Sequence, residues 1–89
     1  MRIEWDAAKN RLLWGARKMG FEVVEQVLEE GTYEIRAHPD RERHPNQILL
    51  IFEFRAYTWV CPAVRSADVL TLKTVYPSRK YHRLRRKHD

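Results

Sequence analysis

Residues 48–62 read ILLIFEFRAYTWVCP, two apolar runs separated by Arg55-Ala56. The first run, 48–54, is almost unbroken by polar residues, the pattern of a strand covered on both faces or buried centrally. Arg55-Ala56 then reads as a turn and 57–62 as the returning strand. Proline has no N–H to give a ladder, so Pro62 predicts that this strand ends there or lies at an edge. A hairpin this apolar needs cover, and the flanking sequence supplies candidates for it.

Upstream, RIEW (2–5) alternates as a short strand does, and Asp6 is a good N-cap for a helix reaching about residue 18. Its capping-box partner is missing, because Lys9 stands where Glu or Gln would be. Trp5, Ala8, Leu12, Ala16 and Met19 recur at spacings of three and four, which predicts that this stripe faces inward. Gly20 breaks the chain. Residues 21–30 then form a second helix with Val23, Val24, Val27 and Leu28 toward the core and Gly31 as its stop. Alternation returns over 32–37, with Tyr33 and Ile35 against Glu34 and Arg36, and the proline-punctuated HPDRERHPN that follows is a loop.

Downstream, Ser66-Ala67-Asp68 is a turn and 69–76 a further strand, with Leu70 and Leu72 on one face and Thr71, Lys73 and Val75 on the other. Pro77 stops it, and Ser78 caps a last helix from Arg79. The order β-α-α-β-β-β-β-α predicts a single α+β domain over residues 1–89, with the helices on one sheet face.

Charge is concentrated at one end. Residues 1–72 carry ten Lys/Arg against eleven Asp/Glu, whereas 73–89 carry seven against one, so the excess of +5 is C-terminal. Such asymmetry points to a polyanionic partner, nucleic acid or an acidic protein. Cys61 is alone and beside Pro62 reads as buried and unreactive; with no secretory or membrane-spanning pattern, the reducing cytoplasm is the expected compartment. No cofactor motif is present, and His38 and His44, six apart, match no compact metal spacing.

LKTVYPSRKYHR (72–83) carries the candidate chemistry. Lys73, Arg79 and Lys80 would attract phosphate, with the amides at the helix start adding positive potential. Tyr76 and Tyr81 offer ring faces for unstacked bases, as recognition of single-stranded RNA requires. Breaking an RNA phosphodiester without a metal needs a base for the 2′-OH, a cation on the developing charge and an acid for the departing 5′-oxygen. Lys73 and Arg79 are candidates for the charge; Tyr81, His82 and His44 are candidates for proton transfer. A phenol among cations is favoured as phenolate and a histidine there is disfavoured as cation. Lys80, Arg83 and Arg43 complete the RNA-binding candidates. Against this stands a plain alternative: residues 85–89 form a solvated, fraying end, and the tryptophans Trp5, Trp14 and Trp59 serve core or interface.

WDAAKN followed by GFEVVEQVLEEG resembles the opening of BrnT-type toxins, and HPNQ, two apolar strands and LKTVYPSRK resemble small bacterial toxin-like proteins close to that group. The resemblance spans nearly the whole chain through short motifs. It implies a RelE-like fold, a curved antiparallel sheet with two N-terminal helices and one C-terminal helix. It also implies a ribonuclease toxin of a type II toxin–antitoxin system, neutralised by a small DNA-binding antitoxin, with ribbon-helix-helix as the candidate type, within an oligomeric complex. Arg79-Lys80 match the family's cation pair opening the last helix. Lys73 stands near its strand cation, separated by an extra YPS, and Asn46 and Gln47 occupy the place of its cation before the first long strand. The same basic face also fits a non-catalytic RNA- or antitoxin-binding module.

Overall fold

The structure, a computed structural model, describes residues 1–86. Its elements are β1 (Arg2–Trp5), α1 (Ala7–Arg17), α2 (Phe21–Glu30), β2 (Glu34–Ala37), β3 (Gln47–Phe54), β4 (Tyr57–Ser66), β5 (Val69–Leu72), β6 (Tyr76–Pro77) and α3 (Arg79–Arg86). They make an α+β fold around a six-stranded sheet ordered β1-β5-β4-β3-β2, with β6 pairing β4. No helix of the described residues is long and apolar enough to cross a membrane.

The β3–β4 hairpin is the centre, paired from Gln47↔Val64 to Phe54↔Tyr57. Arg55 and Ala56 both take positive φ, 55° and 60°. Two left-handed central residues give the turn whose twist fits a hairpin, a geometry Asn-Gly adopts without strain. A side chain there costs about 1–2 kcal/mol, partly offset by glycine's larger unfolded-state entropy. Ala56→Gly is therefore expected to stabilise the domain by about 0.5–1 kcal/mol. Its thermal midpoint, followed by circular dichroism, should rise by a few degrees; an unchanged or lower midpoint contradicts strain at this turn.

The sheet departs from the expected antiparallel one at its edge, where β1 pairs β5 in parallel, Trp5 beside Leu72. Strand β4 also runs on to Ser66, through Pro62, which neither ends it nor lies at an edge. The Pro62 carbonyl accepts from the Lys73 amide at 2.9 Å. In an antiparallel ladder a residue's N and C=O point the same way. The proline nitrogen therefore faces the place where the chain leaves β5, and no donor is required of it.

The expected strand 69–76 is divided at that place. Lys73 still pairs with Pro62, and Tyr76 rejoins β4 opposite Val60. Thr74 and Val75 thus stand against the single residue Cys61, an insertion that shifts the alternation by one. Val75, expected on the Lys73 face, is instead fully buried on the opposite one, and Tyr76 comes onto the Lys73 face.

Helices α1 and α2 cover one sheet face, packing on Leu50, Phe52, Trp59, Cys61, Leu70 and Leu72. Helix α3 lies on the other, not beside them, with Tyr81 against Leu49, Ile51 and Val60. This two-sided cover is what the unbroken apolar run of β3 requires. Burial alone pushes the Cys61 thiol far above its ordinary value, so it is an inert core residue.

Helix α1 turns a different face inward from the expected stripe. Ala8, Leu12 and Ala16 are exposed, Leu12 at 69%, whereas Asn10 and Leu13 are buried. The reason is polar. Asn10 Oδ1 accepts from the Phe21 amide at 2.8 Å, capping α2, whose own N-cap Gly20 has no side chain to do so. Asn10 Nδ2 donates to both Glu22 carboxylate oxygens at 2.9 Å, and Trp14 Nε1 adds a third bond to Glu22. Those bonds, the Asn10 amide first and then the Trp14 indole, hold Glu22 below its ordinary carboxylate pKa. Arg17, at the end of the same face, donates to the Val75 carbonyl at 2.7 Å, tying α1 to the inserted residues.

Candidate nucleic-acid interface

Strand pairing arranges the α3 side of the sheet in rows. Arg36, Leu49, Pro62 and Lys73 are successive cross-strand neighbours, as are Glu34, Ile51, Val60 and Tyr76 in the next row. With strands about 4.8 Å apart, the backbones of Arg36 and Lys73 bracket roughly 14 Å of largely apolar floor. Helix α3 crosses the second row at the β4 edge, where the Ser78 amide donates to the Thr58 carbonyl. Ser78 caps it as expected, its Oγ accepting from the Tyr81 amide at 3.2 Å.

Three of the expected RNA-contacting residues meet here. Tyr76 and Tyr81 pack on Leu49, Ile51 and Val60, and the Tyr81 ring is flanked by two cations, the Arg36 guanidinium at 5.8 Å and the Lys80 ammonium at 5.5 Å. Arg36 and Lys80 are exposed and able to bind an anion. Burial chiefly, and then the neighbouring Tyr81, raises the pKa of Tyr76 above its ordinary value of 10.0. Tyr76 therefore keeps its proton at neutral pH and can donate it or share it in a hydrogen bond.

Arg85 fixes the helix over this face. It is a quarter exposed and reaches Glu34 at 3.2 Å and Glu53 at 3.9 Å, so it is not the frayed residue expected of the basic tail. Residues 87–89 of that expected fraying end lie outside the described residues. Between α3 and the sheet is an open cavity of about 550 Å³ lined in part by Arg36, Ile51, Tyr81 and Leu84.

The remaining candidates are distributed elsewhere. Lys73 is exposed at the far end of the first row, where its charge adds a minor contribution to lowering the Asp6 carboxyl, after the Lys9 and Ala8 amides. Arg79 lines a separate groove with Arg55, Tyr57, Trp59 and Pro77. Trp59 packs with the α1–α2 core, whereas Lys73 stands in the row of Leu49 and Pro62 and does not line that groove. His82 is hydrogen bonded through Nδ1 to Thr58 Oγ1 at 3.0 Å and stacks on Tyr57 with ring centres 4.2 Å apart. His44 is exposed in the loop before β3, its ring 4.3 Å from that of His38. Arg43 in the same loop pairs with Asp40 at 3.6 Å, and Arg83 is exposed on α3. No group of three or more metal-ligating side chains occurs among the described residues.

Sequence reading missed Arg36 and Arg55 as members of these sites. Arg36 was legible only as the outward residue of an alternating strand. Its place beside Tyr81 comes from the pairing of β2 with β3 and the packing of α3 over them, which join residues 45 positions apart. The fold and site define a small α+β domain with a cation-flanked tyrosine pair on one sheet face. Comparison with protein-family models found none that matches the chain, and no curated protein matches it in sequence.

Proposed function

We propose that this chain is an RNA-directed toxin domain of the RelE-like kind, as the BrnT-type resemblance implies, cleaving single-stranded RNA through its own side chains. The observation that carries the reading is the Tyr81 ring with the Arg36 and Lys80 cations 5.8 and 5.5 Å from its centre and Tyr76 beside it, over the apolar Leu49, Ile51 and Val60 of a face that also holds the Glu34 and Glu53 carboxylates. Arg36 and Lys80 supply charge to the non-bridging phosphate oxygens. Tyr76, kept protonated, gives its proton to the 5′-oxygen as the P–O5′ bond breaks. The 2′-oxygen forms the new bond to phosphorus, leaving a 2′,3′-cyclic phosphate, and its proton passes to Tyr81 acting in its deprotonated form. Electrostatic stabilisation of the pentavalent charge is the largest contribution expected of such a site. A small DNA-binding antitoxin covering this basic face is the partner that fits the reading.

A second reading keeps the same face but without turnover. The separation of Lys73 from Arg79, and the engagement of His82 with Thr58 and Tyr57, favour it. Incubating the purified chain with a defined transcript in a chelating buffer separates the two. The nuclease reading expects fragments ending in 2′,3′-cyclic phosphate and growth arrest when the chain is expressed alone in bacteria. Intact RNA that is nevertheless retained at low salt, with affinity falling steeply as salt rises, supports the binding module. The absence of both cleavage and retention rules out RNA as the ligand.

A further inference from the structure

The groove on the other side of the α3 N-terminus is unused by that site. Its walls are Arg55, from the tip of the β3–β4 hairpin, and Arg79, from the first turn of α3; its floor is Tyr57, Trp59 and Pro77. The space is about 520 Å³, within the range of small-ligand sites and large enough for a nucleotide. Arg55, Trp59 and Tyr57 are each held by a specific contact. The Arg55 guanidinium lies 4.9 Å from the Phe54 ring centre. Trp59 Nε1 donates to the Phe54 carbonyl at 3.0 Å, and Tyr57 is backed by the stacked His82. The hairpin also places Arg55 at a left-handed backbone position that a residue without a side chain would occupy with less strain.

From this geometry we infer that the Arg55–Arg79 groove is a second nucleotide subsite for single-stranded RNA, holding a base on the Tyr57–Pro77 floor and its phosphate between the two guanidiniums. The inference rests on the RNA reading above. Adjacent residues connect the two sites, since Arg79 lines the groove while Lys80 flanks Tyr81. One strand passing over the start of α3 would therefore meet both. The floor decides between an RNA and an acidic peptide. Guanidiniums bind either anion, but aromatic surface between them matches the π-face that every base presents and a carboxylate lacks.

The test uses the full chain, a fluorescein-labelled single-stranded dodecaribonucleotide, a matching tetranucleotide and Arg55→Asn, a substitution that suits the left-handed turn. The expected result is roughly tenfold weaker dodecamer binding and a salt slope smaller by about 1, with tetranucleotide binding unchanged. Arg79→Gln should reproduce it. In ¹H–¹⁵N spectra, adenosine monophosphate should move the Trp59 indole resonance and leave that of Trp14 in place. Dodecamer binding that is weakened by Arg36→Ala but not by Arg55→Asn overturns the subsite and leaves the RNA reading standing. Absence of any RNA binding by the unmodified chain overturns both. A Glu-rich peptide that moves the Trp59 signal when RNA does not assigns the groove to an acidic partner and overturns the inference.

Discussion

Under the nuclease proposal, Arg36→Ala is expected to slow RNA cleavage by about 10²–10³-fold, the usual consequence of removing one well-placed donor to a developing oxyanion. The guanidinium is exposed, lies 5.8 Å from the Tyr81 ring centre and, among the described residues, otherwise pairs only with exposed Glu34 at 3.5 Å. Such surface pairs contribute about 0–1 kcal/mol, so the fold should survive the change almost intact. Single-turnover assays with a labelled oligoribonucleotide read the rate, and thermal unfolding reads the fold. Arg36→Lys retains charge but loses the planar fork, and should recover only part of the loss. An unchanged rate in Arg36→Ala moves the catalytic charge away from the Tyr81 face, with Lys73 the next cation to examine.

The largest expected effect on stability comes from Asn10. Asn10→Ala leaves the buried Phe21 amide without an acceptor and removes both Asn10 hydrogen bonds to the Glu22 carboxylate, leaving, among the described residues, only the side-chain bond from Trp14. An unmade buried bond costs about 1–3 kcal/mol, and hydrogen bonds to a charged group contribute about 1.5–3, so a loss near 3 kcal/mol is expected. That is a large share of the roughly 5–15 kcal/mol available to a domain. Urea denaturation gives the figure directly; a loss below that of an ordinary surface substitution contradicts the capping role.

The same network predicts a pH signature. The folded state lowers the Glu22 pKa from its ordinary 4.5, chiefly through the Asn10 amide and then Trp14. The ionised group is thus favoured by folding. Its contribution is complete above the unfolded value and fades as pH falls through the lower folded one. Asn10→Asp reverses the sign. It keeps an acceptor for the Phe21 amide but sets a second carboxylate against Glu22, raising the folded pKa of the pair, so the variant should gain stability as pH falls through that range. Unfolding midpoints at neutral and acidic pH distinguish the two behaviours.

Much of the local structure was legible in residue order because it is decided over a few residues. Asp6 accepts from the Lys9 amide, Gly31 takes a left-handed C-cap at φ 73°, and Ser78 starts α3, each at its expected place. The misread elements share a different property. The inward face of α1 was assigned from an Ala–Leu stripe, yet a methyl group offers little burial energy. Hydrogen bonds from Asn10 and Arg17 to distant segments decide which face is buried.

By itself, the sequence determined an α+β domain, a central apolar hairpin and a C-terminal concentration of cations, since these follow from periodicity, chain reversal and composition. Only the tertiary structure decided which cations act together. The one-residue insertion opposite Cys61 brings Lys73 and Tyr76 onto one face where strict alternation would separate them. The pairing of β2 with β3 carries Arg36 to Tyr81, and the rotation of 100° between neighbouring helix positions sends Arg79 and Lys80 to different sites. Side-chain direction along a strand has a period of two, so a single extra residue reverses it, and no count along the chain shows where the partner strand lacks a matching residue.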